Sequence, residues 1–413
     1  MFRLFLVLAL VCSGARAEQV HYQLDIRHGP VTAAGETSTG MLVNGSYPGP
    51  VLRFTEGDTA RIRVINHTEL DTSVHWHGLL LPPEQDGVPY MSSLPIGPGE
   101  SFDYTFPLKH AGTYWYHSHT DLQEQRGVHG GIVVFPRDKR FAYDHEAVLV
   151  LQDWTHEDPK DVLANLKKDG HYYALKKGSV VSIAGFLERN AMPVWWQNRW
   201  RRMEGMDVAD VAYDAFFVNG ESELAVLPEA LPGERIRLRF INAGASSYFL
   251  LHSSALEMEV VSADGLDVQP VKVDEILVGM AETYDVIVTV PAEGAAELRA
   301  TAQDGSGFAS VFIGSGERVV AEAMTPPDLY APHAEHHAGH HTMQGHHGMQ
   351  GHHHDGPRRL SYADLHSLDG DRYRGEGDAR EIILRLTGDM ETYNWSFNDL
   401  PLSRADKILV SRG

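Results

Sequence analysis

Cysteine is almost absent: Cys12 is the only one among 413 residues. It falls in an N-terminal stretch, MFRLFLVLALVCSGARAEQV, that reads as a signal peptide over residues 1–17. Arg3 supplies the positive start, Leu4–Val11 the short apolar run, and Ala15-Arg16-Ala17 the small-x-small cleavage site, with Glu18 as the first mature residue. The mature chain would then hold no thiol, which excludes disulfides and any copper–thiolate bond within it. The apolar run is too short to span a bilayer, and no second run of membrane length follows. A periplasmic protein, off the membrane after cleavage, is therefore expected. Positive charge is also scarce. Lys and Arg number 35 against 56 Asp and Glu, a net charge of −21 with His neutral. Such a chain has no electrostatic footprint for nucleic acid and as a whole is repelled by anionic membranes.

Helical patterns are few. DPKDVLANLKKDG (158–170) predicts a short surface helix, and MPVWWQNRWRRMEGM (192–206) is ambiguous. Most of what remains is short alternating segments between turn residues, with 39 Gly and 21 Pro. RIRVIN (61–66) and RIRLRFIN (235–242) alternate charged and apolar, as half-buried strands do. The texture is that of all-β sandwiches, and the length suits two or three domains.

A repeat organises the chain. LVNGSYPGPVLRFTEGDTARIRVIN (42–66) and FVNGESELAVLPEALPGERIRLRFIN (217–242) share Val-Asn-Gly, a loop, Gly-acid-x-x-Arg followed by Ile or Leu and a second Arg, and a closing Ile-Asn. A third copy starts at WSFNDLPLSRADKILVSRG (395–413), with Phe397-Asn398-Asp399 in place of Val-Asn-Gly and Gly413 where Gly57 and Gly233 stand. The expected layout is a first domain over 18–138, a second over 139–318, a linker over 319–377 and the start of a third domain over 378–413. The linker contains PHAEHHAGHHTMQGHHGMQGHHHDG (332–356). It has no apolar periodicity to build a core. Its imidazoles and thioethers (His333, His336, His337, His340, His341, Met343, His346, His347, Met349, His352, His353 and His354) suit auxiliary copper binding; a soluble spacer is the alternative.

Two short stretches carry the chemistry: TSVHWHGLLLPPEQDGVP (72–89) and GTYWYHSHTDLQEQRG (112–127). Residues two apart on a strand share a face, so His75 and His77 project together, as do His117 and His119. Four imidazoles converging on one volume make a metal site rather than scattered structural histidines. Imidazole suits copper, zinc, iron or nickel, and does not by itself choose among them. Three His and a water would also make a catalytic zinc site.

HWHG, the following DGVP, and GTYWYHSH resemble the N-terminal copper motifs of multicopper oxidases. HSHTDLQEQRG, ETYDVIV (282–288), LTGDMETYNWSFND (386–399) and the His/Met tract resemble the copper-resistance, laccase-like branch. The resemblance implies tandem cupredoxin-like Greek-key β-sandwich domains, two complete and a third begun. It places His75 at a type 2 copper, His77 and His117 at one type 3 copper and His119 at the other. It makes Asp86 an acid near the cluster that orients water and relays protons; a plain turn role before Gly87 is the alternative. It implies O2 as electron acceptor and Cu(I) or phenols as reductant. The sequence departs from the family where a His-x-x-His-x-His stretch and a His-Cys-His stretch should supply four more cluster histidines and the type 1 ligands; neither occurs. The 413-residue chain alone is thus expected to be inactive, its missing ligands belonging to a third domain or a partner chain. The competing reading is a copper-sequestering protein without turnover. His252 stands alone near the equivalent place in the second domain. His129, His145, His156 and His171 are not expected to be ligands.

Overall fold

The computed structural model describes residues 17–201, 208–331, 357–370, 381–389, 394–400 and 404. The segment read as a signal peptide lies almost wholly outside the described residues, and the His/Met tract 332–356 does so entirely.

Eight strands build the first sandwich: β1 (Gln19–Ala33), β2 (Glu36–Val43), β3 (Gly49–Thr55), β4 (Thr59–Asn66), β5 (His75–His77), β6 (Ser101–Pro107), β7 (Gly112–His117) and β8 (His129–Phe135). They form two four-stranded sheets, β2-β1-β4-β6 and β3-β8-β7-β5. The alternation of RIRVIN explains β4: Ile62 and Val64 enter the core while Arg61 and Arg63 face solvent. One apolar cluster joins the sheets, with Leu24, Ile26, Trp76, Tyr104, Tyr116 and Ile132 among its members.

The second sandwich uses β9 (His145–Trp154), β10 (Ala215–Val218), β11 (Glu223–Val226), β12 (Arg235–Asn242), β13 (Phe249–His252), β14 (Met258–Ala263), β15 (Leu266–Val273), β16 (Glu275–Val278), β17 (Thr283–Thr289), β18 (Gly294–Ala302), β19 (Phe308–Ser315) and the short β20 (Arg318–Val319). Its sheets run β10-β9-β12-β17-β14-β15 and β11-β19-β18-β13-β16. Between β9 and β10 the described residues form four helices: α1 (Pro159–Lys168), α2 (Ala174–Lys177), α3 (Ile183–Glu188) and α4 (Met192–Arg201). The expected surface helix is α1, capped by Asp158, which accepts from the Lys160 amide. The described part of the ambiguous tryptophan-rich stretch, Met192–Arg201, is α4. A last hairpin, β21 (Leu386–Asp389) with β22 (Asn394–Phe397), lies in the third-copy region. Residues 357–370, assigned to the linker from sequence, contact the second sandwich through bridges from Ser367 to Val268 and Arg359 to Glu275.

The repeat has a physical basis visible three times. Asn44, Asn219 and Asn398 all adopt left-handed φ (54°, 53° and 52°), and each turn closes a bridge: Val43 to Ser46, Val218 to Glu221, Phe397 to Leu400. Asn adopts that conformation more readily than most residues, and here its side-chain oxygen also ties the turn to a backbone amide elsewhere in the chain. Asn44 accepts from the Asp25 amide, Asn219 from that of Val150 and Asn398 from that of Arg385.

The strand β12 departs from the half-buried expectation. Arg237 and Arg239 are 5% and 1% exposed. Their face does not meet water; it packs on the first sandwich. Asp285 on β17 takes hydrogen bonds from Arg237 Nε (2.9 Å), Arg239 Nη1 (2.8 Å) and Thr113 Oγ1 (2.7 Å). Glu146 on β9 receives the other side of Arg239 at 2.9 Å. Charges can be buried at this seam only because each is paired and hydrogen-bonded. Beside them Trp115 and Val133 pack against Val148, Val150, Ile241 and Ala243 of the second sandwich.

Candidate metal centre

The two His-x-His pairs meet because β5 and β7 are neighbours in one sheet. Their antiparallel register sets His75 opposite His117 and His77 opposite Trp115. Trp76 points the other way into the core, so period-two alternation leaves both β5 histidines on the site face. His119 lies two residues past the end of β7, its amide held by Ser73 Oγ at 3.0 Å. Its ring still closes on the group, 5.1 Å between centroids from both His75 and His117.

The ring nitrogens are already sorted. His75 Nδ1 bonds the Asp86 carbonyl at 2.8 Å, with the Asp86 carboxylate at 3.4 Å. His117 Nδ1 donates to the Ser118 carbonyl (3.0 Å) and Glu124 Oε2 (3.0 Å). Anchoring Nδ1 leaves Nε2 as the lone-pair atom on both rings. His77 is the reverse: its Nδ1 faces His117 Nε2 at 3.2 Å. That spacing matches two nitrogens sharing one ion at about 2 Å each. His75, His77 and His117 together offer three ligand atoms lying within 4.8 Å of one another. All donors are nitrogen, a set that suits copper and leaves zinc equally possible by ligand type.

Electrostatics favour cation uptake. Burial pushes the His77 imidazole down to about 4, with His117 and His75 adding repulsion. Burial lowers His75 and His119 as well, and nearby histidines reinforce it. These three rings therefore resist protonation more than a free imidazole does, which keeps a lone pair available for a metal. Burial raises the Glu124 carboxyl, but the His117 hydrogen bond and the surrounding imidazoles outweigh it and hold the group below the usual carboxylate range.

Sequence reasoning did not single out three residues that build this geometry. Glu124 orients His117. Gln123 is buried and accepts from Thr72 Oγ1 (2.7 Å) and Ser118 Oγ (3.0 Å) while donating to the Asp71 carbonyl (2.6 Å). It clasps the loop before β5 to the loop after β7, and so couples the two pairs. Gly87 has φ +75°, and a Cβ there would lie 1.8 Å from the Val74 carbonyl, so only glycine lets Asp86 approach His75. Both carboxamide and acid stand in HTDLQEQRG, but nothing in their spacing reveals a contact made across a loop. Asp86, which was singled out, reaches His75 mainly through its backbone. His129 is buried and bonded to Gln152 and the Glu124 carbonyl. His252 lies in the second sandwich beside Thr301. A cavity of about 340 Å³ opens beside His77 between the sandwiches, lined also by Tyr114, Trp115, Met280 and Thr283.

Two multicopper oxidase models match the sequence, over residues 25–139 and 145–304. A copper resistance protein A homolog from Pseudomonas syringae pv. tomato is 34% identical over 463 positions, spanning 95% of this chain and 78% of that protein. The chain belongs to the multicopper oxidase family. Copper resistance protein A of Escherichia coli is 41% identical over 76% of this multicopper oxidase chain, which spans 53% of that relative. Among solved structures, Fet3p, a multicopper oxidase that functions in iron import, superposes with a TM-score of 0.65 at 20% identity, covering 92% of this chain and 64% of that one. The likeness establishes the tandem cupredoxin-like fold, and membership in the family implies copper as cofactor and O2 with a reductant as substrates.

Proposed function

We propose that this protein serves copper resistance in the periplasm, coupling oxidation of Cu(I) or a phenol to four-electron reduction of O2 to water. The observation that carries this reading is the opposed pair His77 Nδ1 and His117 Nε2, with the other faces of His75 and His117 locked by protein acceptors. In this reading His75 serves a type 2 copper, His77 and His117 one type 3 copper, and His119 the other. Copper bound there, supplied with electrons from a type 1 centre, would reduce O2. The chain's own residues prepare that chemistry. Asp86 and Glu124 fix which imidazole nitrogen carries its proton. The Asp86 carboxylate, a third exposed beside His75, exchanges protons with solvent next to the site. The cavity beside His77 gives small molecules a way in.

The four remaining cluster histidines and the type 1 ligands would come from another domain or chain. The 413-residue chain by itself should consume no O2; measurable uptake by homogeneous, copper-loaded protein would overturn this ligand count. Metal binding is tested separately by loading the full chain with copper and stripping weak sites with a mild chelator. Chelator-resistant copper should disappear in His77→Ala/His117→Ala. Retention of that copper in the double variant would refute the site. A sequestering role without turnover is favoured by one feature, the ten histidines and two methionines of 332–356. It would show as several weakly held coppers, lost on deleting the tract, with no oxidase activity even when a third domain is supplied.

A further inference from the structure

The helical segment between β9 and β10 leaves large apolar side chains in solvent. Leu175 is 82% exposed, Ile183 55%, Leu187 59%, Trp196 63% and Trp200 90%. They are not scattered. Ile183 and Leu187 stand four apart on α3; Trp196, Arg199 and Trp200 occupy one face of α4 at i, i+3 and i+4. The helices are held with this surface outward. Phe186 is buried against Tyr330 (4.8 Å between ring centroids), and Arg189 pairs with Asp328 at 3.1 Å. Isolated surface hydrophobics need no explanation, but a contiguous aromatic and aliphatic patch marks a contact surface.

Its charge identifies the partner. Residues 171–201 hold five Lys and Arg against one Glu, whereas the rest of the chain holds 30 against 55. Lys176 and Arg189 are paired with acids inside the protein, and Arg199 is exposed among the tryptophans. Tryptophan and arginine on one face of α4, beside exposed isoleucine and leucine on the adjoining α3, is the composition of segments that lie in a membrane interface, with rings at the headgroup level and guanidinium at the phosphates. We propose that α3 and α4 dock the protein peripherally on an anionic phospholipid surface. The acidic remainder is repelled by the same surface, which fixes one orientation: helices down, sandwiches away. No helix among the described residues is long and apolar enough to cross a membrane, so attachment is reversible and weakened by salt.

The test is co-sedimentation of the full chain, with chelator present, on phosphatidylglycerol/phosphatidylethanolamine vesicles and on phosphatidylcholine vesicles. Binding should be at least about tenfold stronger to the anionic vesicles and should blue-shift tryptophan emission. Trp196→Ser/Trp200→Ser should abolish binding and the shift, and Arg199→Glu should weaken binding, each with an unchanged thermal midpoint because the altered side chains are exposed. Equal affinity for both vesicle types would overturn the proposal, as would equal affinity of wild type and double variant. So would concentration-dependent dimerisation that the double variant abolishes while no vesicle binding is seen, which would make the patch a contact between two copies.

Discussion

Replacing Asp285 by Ala tests the seam between the sandwiches. The Asp285 carboxylate is 1% exposed and receives Arg237, Arg239 and Thr113. Removing it leaves two buried guanidiniums short of charge. Arg239 keeps Glu146 at 2.9 Å, but the remaining carboxylate near Arg237 is Asp267 at 3.7 Å. Breaking a buried ion pair from one side costs about 3–5 kcal/mol. With one guanidinium still partnered, the lower end, about 3 kcal/mol, is expected. Asp285→Asn should fall between Ala and wild type, since its carbonyl still accepts a hydrogen bond. Urea denaturation of the copper-free protein, followed by tryptophan emission and far-ultraviolet circular dichroism, provides the measure. Both sandwiches are tied to this carboxylate, so both transitions should move to lower urea together. A loss under about 1 kcal/mol for Asp285→Ala, or a shift confined to one transition, would refute the claim that this carboxylate neutralises the seam.

Glu124→Gln keeps an acceptor for His117 Nδ1 but removes the negative charge, so a competition titration should show chelator-resistant copper held about tenfold more weakly; unchanged affinity would exclude Glu124 from tuning the site. Gly87→Ala must place its Cβ against the Val74 carbonyl at φ +75°; it should cost roughly 1–3 kcal/mol and loosen the Asp86–His75 contact, read by thermal unfolding with and without copper. His129 is fully buried and held to about 4 by that burial. Its folded form refuses a proton that the unfolded chain accepts below about pH 6.5, so stability is flat above pH 7 and falls on acidification. The loss from His129 alone is about 2 kcal/mol at pH 5, and equal urea midpoints at pH 7 and pH 5 in copper-free protein would contradict it.

Much of the site was legible in the sequence because its information is local. A His-x-His on a strand fixes two side chains to one face whatever the fold; HWH is the whole of β5, followed by Gly78, while HSH starts at the last residue of β7 and His119 is carried just beyond it. The repeat was legible for the same reason, since Asn44, Asn219 and Asn398 meet a local backbone need. What the sequence hid is set by contacts between distant segments. Arg237 and Arg239 have the alternation of an exposed strand face; only the approach of a second sandwich buries them, and no local pattern encodes that approach. Glu124 and Gln123 act across a loop on partners that the spacing does not specify. The ambiguity of 192–206 arose because tryptophan and arginine suit either a strand or a helix surface, and an unpacked face leaves no apolar periodicity to decide.

The seam and the histidines are one structure, although all four histidines come from the first sandwich. Thr113, Trp115 and His117 are alternate residues of β7 and so share a face. Thr113 is fixed by Asp285, by Arg239 and by Thr283 Oγ1, which donates to its carbonyl at 3.0 Å. Trp115 packs into the apolar seam and stacks on His117 with 4.1 Å between ring centroids and 15° between planes. Position is therefore passed along one strand face from a buried charge network, through an indole, to the imidazole whose Nε2 meets His77. An isolated first sandwich would expose Trp115 and release Thr113, and His117 would keep only Glu124 and Ser118 to hold its ring. It follows that Asp285→Ala should weaken chelator-resistant copper as well as stability, even though Asp285 touches none of the histidines. Undiminished copper affinity in a destabilised but folded Asp285→Ala protein would show that Glu124 and Ser118 suffice, and that the second sandwich lends the site no geometry.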